Sequence, residues 1–520
     1  SMSNPQYGNS IRVGSLRIGG WLPVRSFVIG LGTVVATMMI ILLGYLIPGL
    51  VFLLGMFLGL AIFGIPFGDA DLTLAARILR SLRHARHVST GEATFVNSHF
   101  SGRTSEELLG LPGYLHTINT VNSIDGTGAP VQLLHHKSVG MASVTLACAP
   151  IGTNMQPQDS TTHQVGSFAN WLGSLASEGG LRGASVTVDS ILESSLPMAE
   201  AIMDTVDARS PQVAQQILRE AAAALPARVS KVTSYVTLGW RLSSLDDDID
   251  GALAEIVSRI PRHVSALSAS GAGQIHAMSD AEYGDMMYTA YNPHRTGEVE
   301  RELHYGIDAV RTFAGSGPEY TDATDKRVVL HDGVASMTVM MTVPDPSKIT
   351  ERSYERLFAP SRHFLRKRVT MFYRPIPVSA QRTRIDSASR NSTTENTSRK
   401  RVTVFETKKA KAIGHTMDQM SRGAMIHEWA LMITVTFEPN RKAKRAAENE
   451  LKGLMGGMRW TFADYAADAA FHQTLPIGLF PWVYSSRPWL FNPEYTNQKG
   501  SAKTKGGSSS SARAQEGDGA

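Results

Sequence analysis

The longest departure from an ordinary soluble pattern lies between Phe27 and Phe67, where no charged residue occurs. As one helix this run would reach about 60 Å, roughly twice the hydrocarbon thickness of a bilayer, so one straight spanning helix is excluded. Pro48-Gly49 offers a turn, and two helices of about 20 residues, over about 27–47 and 50–67, would each fit. Arg12, Arg17 and Arg25 precede the run, and Arg77, Arg80, Arg83 and Arg86 follow it. The bias of basic residues towards the cytoplasmic side assigns both flanks to the cytoplasm. The expectation is a transmembrane helical hairpin, multi-pass in the cytoplasmic (inner) membrane, with basic flanks resting on anionic lipid headgroups.

After the run the pattern changes. Residues 68–90 carry Leu72, Ala75, Ala76, Leu79 and Leu82 at helical spacing, a basic amphipathic connector behind the cytoplasmic N-terminal segment 1–26 and the hairpin. From residue 91 short apolar or alternating runs interchange with amphipathic ones. "APVQLLHHKSVGMASVTLACAP" reads as two strands joined near Ser138-Gly140, and "ASVTVDSIL" and "RVSKVTSYVTLGWRL" as further strands. "SPQVAQQILREAAAALPA" and "DDDIDGALAEIVSRI" read as helices. A second series begins near residue 300, with strands at "RVVLH", "ASMTVMMTV", "KRVTMFYRPIPV" and "EWALMITVTFE". The expected fold class is therefore the N-terminal hairpin followed by α+β cytoplasmic domains, 91–295 and 296–485, two related strand and helix units. The composition of 387–398 predicts a flexible insertion, and that of 496–520 a disordered tail.

Charge alters this picture little. The chain carries +5 over 520 residues, and residues 1–90 supply all of that surplus, so the pI reports the flanks of the hairpin rather than a nucleic-acid surface. A local surplus does occur in 361–412, where Arg366, Lys367, Arg368 and Arg399, Lys400, Arg401 are candidate partner contacts. Nucleic acid is not expected as a direct partner.

Catalytic chemistry has no visible seat. No GxxxxGK followed by Ser or Thr is present to cradle phosphates, so the chain is not read as an ATPase. "DDDIDG" resembles a calcium loop, but its twelfth position is Val257, and an acidic helix start explains it better. "SGAGQ" is a turn, His427-Glu428 lacks a second His, and no GxSxG occurs. His135 and His136 point to opposite faces of a strand, and His84 with His87 lacks further ligands. Cys148, the sole cysteine, reads as a small core residue. No catalytic residue, cofactor or metal is assigned, and the chain is read as no enzyme.

Several stretches together carry a resemblance: the basic-flanked hairpin, "FANWLGSLASEGGLRGASVTVDS" (168–190), "APSRHFLRKRVTMFYRPIPVSAQ" (359–381), "SRGAMIHEWALMITVTF" (421–437) and "AAFHQTLPIGLF" (469–480). They resemble the actinobacterial PrgI-like membrane proteins of conjugative (type IV secretion) elements, over most of residues 10–485. The resemblance implies a hairpin anchor joined to a region similar to the non-motor N-terminal half of the conjugative transport ATPase. It implies a non-enzymatic scaffold that docks a separate P-loop ATPase beside other secretion-channel subunits, as a homo-oligomer within a larger complex. An EccE-like component of type VII secretion and a membrane-anchored enzyme are the alternatives.

Overall fold

Most of the runs that alternate in the sequence meet in one sheet. The computed structural model describes residues 6–484 except 10–16, 19–21, 65, 68–71, 98–109, 151–156, 195, 226–227, 308–310, 344–347, 351–354, 362, 378–380, 426, 456–458 and all but four positions of 382–424. The insertion and the tail expected at 387–398 and 496–520 lie outside the described residues.

The apolar run folds as two helices, α1 (Val24–Leu42) and α2 (Leu46–Gly64), followed by α3 (Leu74–Ser89). The chain turns at Gly44, whose φ of 89° suits glycine, and not at Pro48, which sits in the first turn of α2 where its missing N–H costs nothing. The helices touch closely at Gly49, where a Cβ would come 2.8 Å from Ile41. The transmembrane hairpin expected over 27–67, and with it the multi-pass inner-membrane location, is corrected here. Among the described residues no helix is long and apolar enough to cross a membrane. Each of the two has 19 residues, a rise of about 28 Å against a hydrocarbon core of about 30 Å. Arg25 already occupies the first turn of α1.

The strands of the main sheet are β1 (Thr94–Val96), β2 (Ile118–Ile124), β3 (Pro130–His136) and β4 (Met141–Ala149). Helix α4 (Gln158–Leu175) leads to β5 (Leu181–Ser194), and α5 (Leu196–Asp204) and α6 (Gln212–Ala223) lead to β6 (Arg228–Arg241). Then come α7 (Ile249–Ala269), β7 (Gln274–Ala277), α8 (Asp280–Tyr291) and α9 (Thr296–Tyr305). The second series holds β8 (Tyr320–Asp322), β9 (Val328–His331), β10 (Val334–Val343), α10 (Glu355–Phe358) and β11 (Arg366–Pro375). It closes with β12 (His427–Phe437), α11 (Arg441–Leu454), β13 (Arg459–Phe462), α12 (Ala467–Gln473) and α13 (Pro481–Tyr484). The aspartates of "DDDIDG" open α7, with the Asp248 carboxylate accepting from the Gly251 N–H at 3.3 Å.

The 13 strands run in the order β1-β8-β9-β10-β12-β11-β5-β6-β4-β3-β2, with β7 on β4 and β13 on β10. Read outwards from the β5–β11 pair, the two sides match: β6, β4, β3, β2 on one side and β12, β10, β9, β8 on the other. The extra strands β7 and β13 attach to corresponding partners, so the strand order repeats about a pseudo-twofold axis between β5 and β11. That pair is antiparallel over eight residues, from Ala184↔Tyr373 to Ile191↔Arg366.

One face of the sheet is apolar. Val144, Val236, Leu238 and Trp240 pack beneath α4 and α7, and Val339, Ile433 and Val435 beneath α10 and α11. The alternate positions of these strands, with β5 and β11 between them, carry Ser143, Thr145, Thr187, Thr237, Ser336, Thr338, Thr370 and Thr434, all buried as well. Over this polar face lie α8 and a strap from Ala467 to Tyr484. Phe480 of the strap rests on a floor made by Gly183 and Gly239, opposed on β5 and β6, and stacks on Trp482 at 5.6 Å. The arms of the hairpin are tied to the second series: residues Gln6–Asn9 pair with Lys348–Thr350, and His84 of α3 reaches the Thr324 carbonyl at 3.2 Å.

A Cβ at Gly239 would stand 2.5 Å from Cε2 of Phe480. Gly239→Ala therefore forces Phe480 off its floor, and we expect a loss of about 1–3 kcal/mol, read as a lower urea midpoint. Gly126→Ala, where nothing lies within 4 Å, is the control and should leave the midpoint nearly unchanged.

Candidate functional site

The polar face holds one ionic centre beside the pseudo-twofold axis, two residues from the Thr187↔Thr370 pair of β5 and β11. Asp189 of β5 stands opposite Arg368 of β11, with Arg366 two residues away on the same face. These side chains are 0%, 1% and 2% exposed. Arg366 donates from Nε to both Asp189 carboxylate oxygens at 2.9 Å and from Nη2 to Oδ2 at 2.5 Å, while Nη1 reaches Thr289 Oγ1 at 3.4 Å. Burial pushes the Arg366 guanidinium down, but Asp189 outweighs it and the net shift is upward. Arg368 fares differently. Its Nε lies 3.6 Å from Asp189, its Nη1 is 3.5 Å from Thr474 Oγ1, and its guanidinium stands 5.2 Å from the ring of Phe471. Burial, with the like charge of Arg366, lowers it to about 10, so it remains charged at neutral pH.

Hydroxyl chains radiate from this centre and end on strap carbonyls. Thr187 bonds Thr370 at 3.1 Å, and Thr370 donates to Thr474 O at 3.1 Å. Thr338 and Thr434 bond at 2.8 Å, Thr434 and Thr474 at 2.8 Å, and Thr474 Oγ1 donates to Phe471 O at 2.9 Å. On the first side Thr237 bonds Thr145, which donates to Pro476 O at 2.7 Å.

Each side also holds a buried histidine bonded to a serine, at corresponding positions. Ser143 Oγ donates to Ile477 O at 3.2 Å, so it accepts from His136 Nε2–H at 2.8 Å, and His136 Nδ1 accepts from Tyr484 Oη at 2.6 Å. His331 Nδ1–H donates to Tyr291 O at 2.5 Å, leaving Nε2 to accept from Ser336 Oγ at 2.7 Å. The two rings thus hold opposite tautomers. The Ser336 and His331 pair has the polarity of a nucleophile and its base, but both residues are fully buried under α8 and the strap. Burial lowers His136 and His331 to about 3 and His472 to about 4, so none is a base poised for neutral pH. Among the described residues no group of three or more His, Cys, Asp and Glu is placed to hold a metal ion. The Cys148 thiol is buried and pushed up to about 12.

Two surface clefts lie elsewhere. One of about 400 Å³ is lined by His84, Asp325, Lys326, Arg327, Lys444 and Glu448 at the junction of α3 with α11. Two of its cations are paired: Lys444 meets Asp325 at 2.7 Å, and Arg327 meets Glu448 at 3.2 Å and, beyond the cleft, Asp464 at 2.7 Å. The second, of about 270 Å³, runs between α5 and α9 and includes Met198, Glu200, Arg301 and Tyr305. Beside it Met203, Val213, Ile217, Leu303 and Ile307 are exposed.

Of the residues singled out in the sequence, Arg366 and Arg368 are inside the ionic centre. Lys367 points to the opposite face, 2% exposed, where its Nζ donates to Ala359 O and burial lowers it to about 8. Arg77, Arg80, Arg83 and Arg86 are exposed on α3. Arg17 and Arg25 fall in a two-residue strand and in α1, and Arg12, Arg399, Lys400 and Arg401 lie outside the described residues. Asp189 escaped the sequence reading; the signal was a lone carboxylate in the apolar run "ASVTVDSIL". No known protein family matches the chain, and no curated protein matches it.

Asp189→Asn would leave two guanidiniums buried without a carboxylate. A loss of about 3–5 kcal/mol is expected, large enough to show as a drop of several degrees in melting temperature. The histidines set an acid limit. They are neutral in the fold down to about pH 3–4, whereas in the unfolded chain they take up protons near pH 6.5. Their contribution is therefore present in full above pH 6.5 and lost as pH falls from there towards 3. Urea titrations at pH 7 and pH 5 should show this fall, and His136→Gln should make it shallower.

Proposed function

We propose that the chain is a non-enzymatic scaffold subunit of a conjugative type IV secretion apparatus, which docks a separate P-loop ATPase. One observation carries the reading: four of the five segments that resemble the conjugative proteins, all but the hairpin, meet in the main sheet and the strap over it. Residues 168–190 supply α4 and β5 with Asp189, and 359–381 supply β11 with Arg366 and Arg368. Residues 421–437 supply β12 with Thr434, and 469–480 supply the strap. The resemblance thus rests on the residues that lock the two sides of the sheet together, as a scaffold needs.

The exposed apolar side chains of α5, α6 and α9 form the docking surface in this reading, since a cluster of this kind marks an interaction site more often than it remains solvated. The test is affinity purification of the full-length protein from its native cells, with mass spectrometry of what remains bound. A P-loop ATPase together with channel subunits is the expected result, reduced at least tenfold by Val213→Glu combined with Ile217→Glu. Recovery of the protein alone, or with metabolic enzymes, would count against the scaffold.

A further inference from the structure

The ionic centre is not electrically balanced. Asp189 supplies one negative charge, and Arg366 engages both of its oxygens. The other titratable groups packed around Arg368 are neutral at pH 7: burial raises the phenols of Tyr235 and Tyr291, and it keeps His331 and His472 unprotonated. One unit of positive charge is left on Arg368, 1% exposed. Its Nε–H, 3.6 Å from Asp189 Oδ2, and its Nη2–H have no partner within hydrogen-bond distance among the described residues. These two donors lie on one edge of the planar guanidinium and point the same way, the arrangement that grips an anion from the side. The first half of the sheet shows what the second has replaced: Ser185 faces Thr237 on β6, and Arg368 faces Thr434 on β12.

We propose that the protein holds a small monovalent anion, chloride in ordinary solution, on the Nε and Nη2 edge of Arg368. The anion neutralises the centre, satisfies both donors and fixes the guanidinium against Phe471 and Thr474 of the strap. It belongs to the folded state, because the donors are brought together with Asp189 and Arg366 by the β5–β11 pairing. Entry and exit require the strap to lift, so exchange is slow and equilibration takes prolonged dialysis. The inference is independent of the secretion reading.

The experiment is thermal unfolding of the full chain after exhaustive dialysis into sodium gluconate, with chloride returned at constant ionic strength. Above the dissociation constant, each tenfold increase in chloride should raise the folded-to-unfolded ratio about tenfold, and bromide should substitute. Arg368→Gln should still fold, since Asp189 and Arg366 remain a neutral pair, and its midpoint should not respond to halide. A halide response that persists in Arg368→Gln would overturn the assignment, as would a wild-type midpoint that is flat in halide. Crystals grown in bromide decide the matter should the variant not fold. An anomalous peak within hydrogen-bonding distance of Arg368 Nε and Nη2 supports the site, and ordered water there without such a peak refutes it.

Discussion

The structure depends on a sheet face made of hydroxyls that must be kept from water. An apolar face needs only to be covered, whereas a buried threonine needs a partner for its proton, and an unmade bond costs about 1–3 kcal/mol. The strap supplies those partners as backbone carbonyls. Phe471, Thr474, Pro476 and Ile477 each accept from a hydroxyl of the strap or the sheet. Thr474, Pro476 and Ile477 can do so because the chain beyond α12, rather than continuing as a helix or strand, leaves their carbonyls free to turn towards the sheet. Gly478, at φ 80°, completes the approach: a Cβ there would stand 2.5 Å from Ser143 Oγ. The strap is thus specified by hydrogen bonds and close contact together, and its removal would leave a row of orphaned donors.

The departures from pseudo-twofold symmetry show where each side has been specialised. Gly183 and Gly239 face each other on the first side, and the room they leave is filled by Phe480. At the corresponding pair on the second side stand Arg366 and Thr436, and the space goes to a guanidinium. The histidines follow the same logic. His136 has a phenol on Nδ1 and so donates through Nε2; His331 has a carbonyl on Nδ1 and so accepts through Nε2. Identical residues at matched positions are thereby held in opposite tautomers by their neighbours alone.

Much of the strand pattern was legible because one face is apolar. "MASVTLACA" and "HEWALMITVTF" alternate between large apolar residues and Ser, Thr or Ala, and both are strands within a residue or two of the expected limits. The ionic centre was not legible. "RKR" at 366–368 looks like a surface cluster because arginine seldom lies fully buried, and the reading lacked the cross-strand partner 177 residues away that makes burial tolerable. The turn in the apolar run was misplaced for a local reason, since Pro48 can sit within the first turn of a helix and Gly44 was the residue able to take positive φ. The hydroxyls of the polar face could be seen in the sequence, but nothing there shows that a strap beginning 190 residues beyond β7, the last of the first-side strands, would come back to cover them.

The same strap decides how the two sides can move. Ser143 and Thr145 belong to β4, Thr370 to β11 and Thr434 to β12, yet all are bonded to residues between Thr474 and Ile477. A hinge between the sides at β5 and β11 would have to break these bonds as well as the eight-residue pairing and the Asp189–Arg366 contacts. Buried bonds of this kind are lost together rather than one at a time, since opening one exposes its neighbours to incomplete solvation. The sheet should therefore behave as one cooperative unit, with conformational freedom confined to what is attached around it: the α1–α2 arm, and the α5–α6 excursion between β5 and β6. A partner that docks on either attachment can change that element's orientation, but not the relation of the two sides it is attached to.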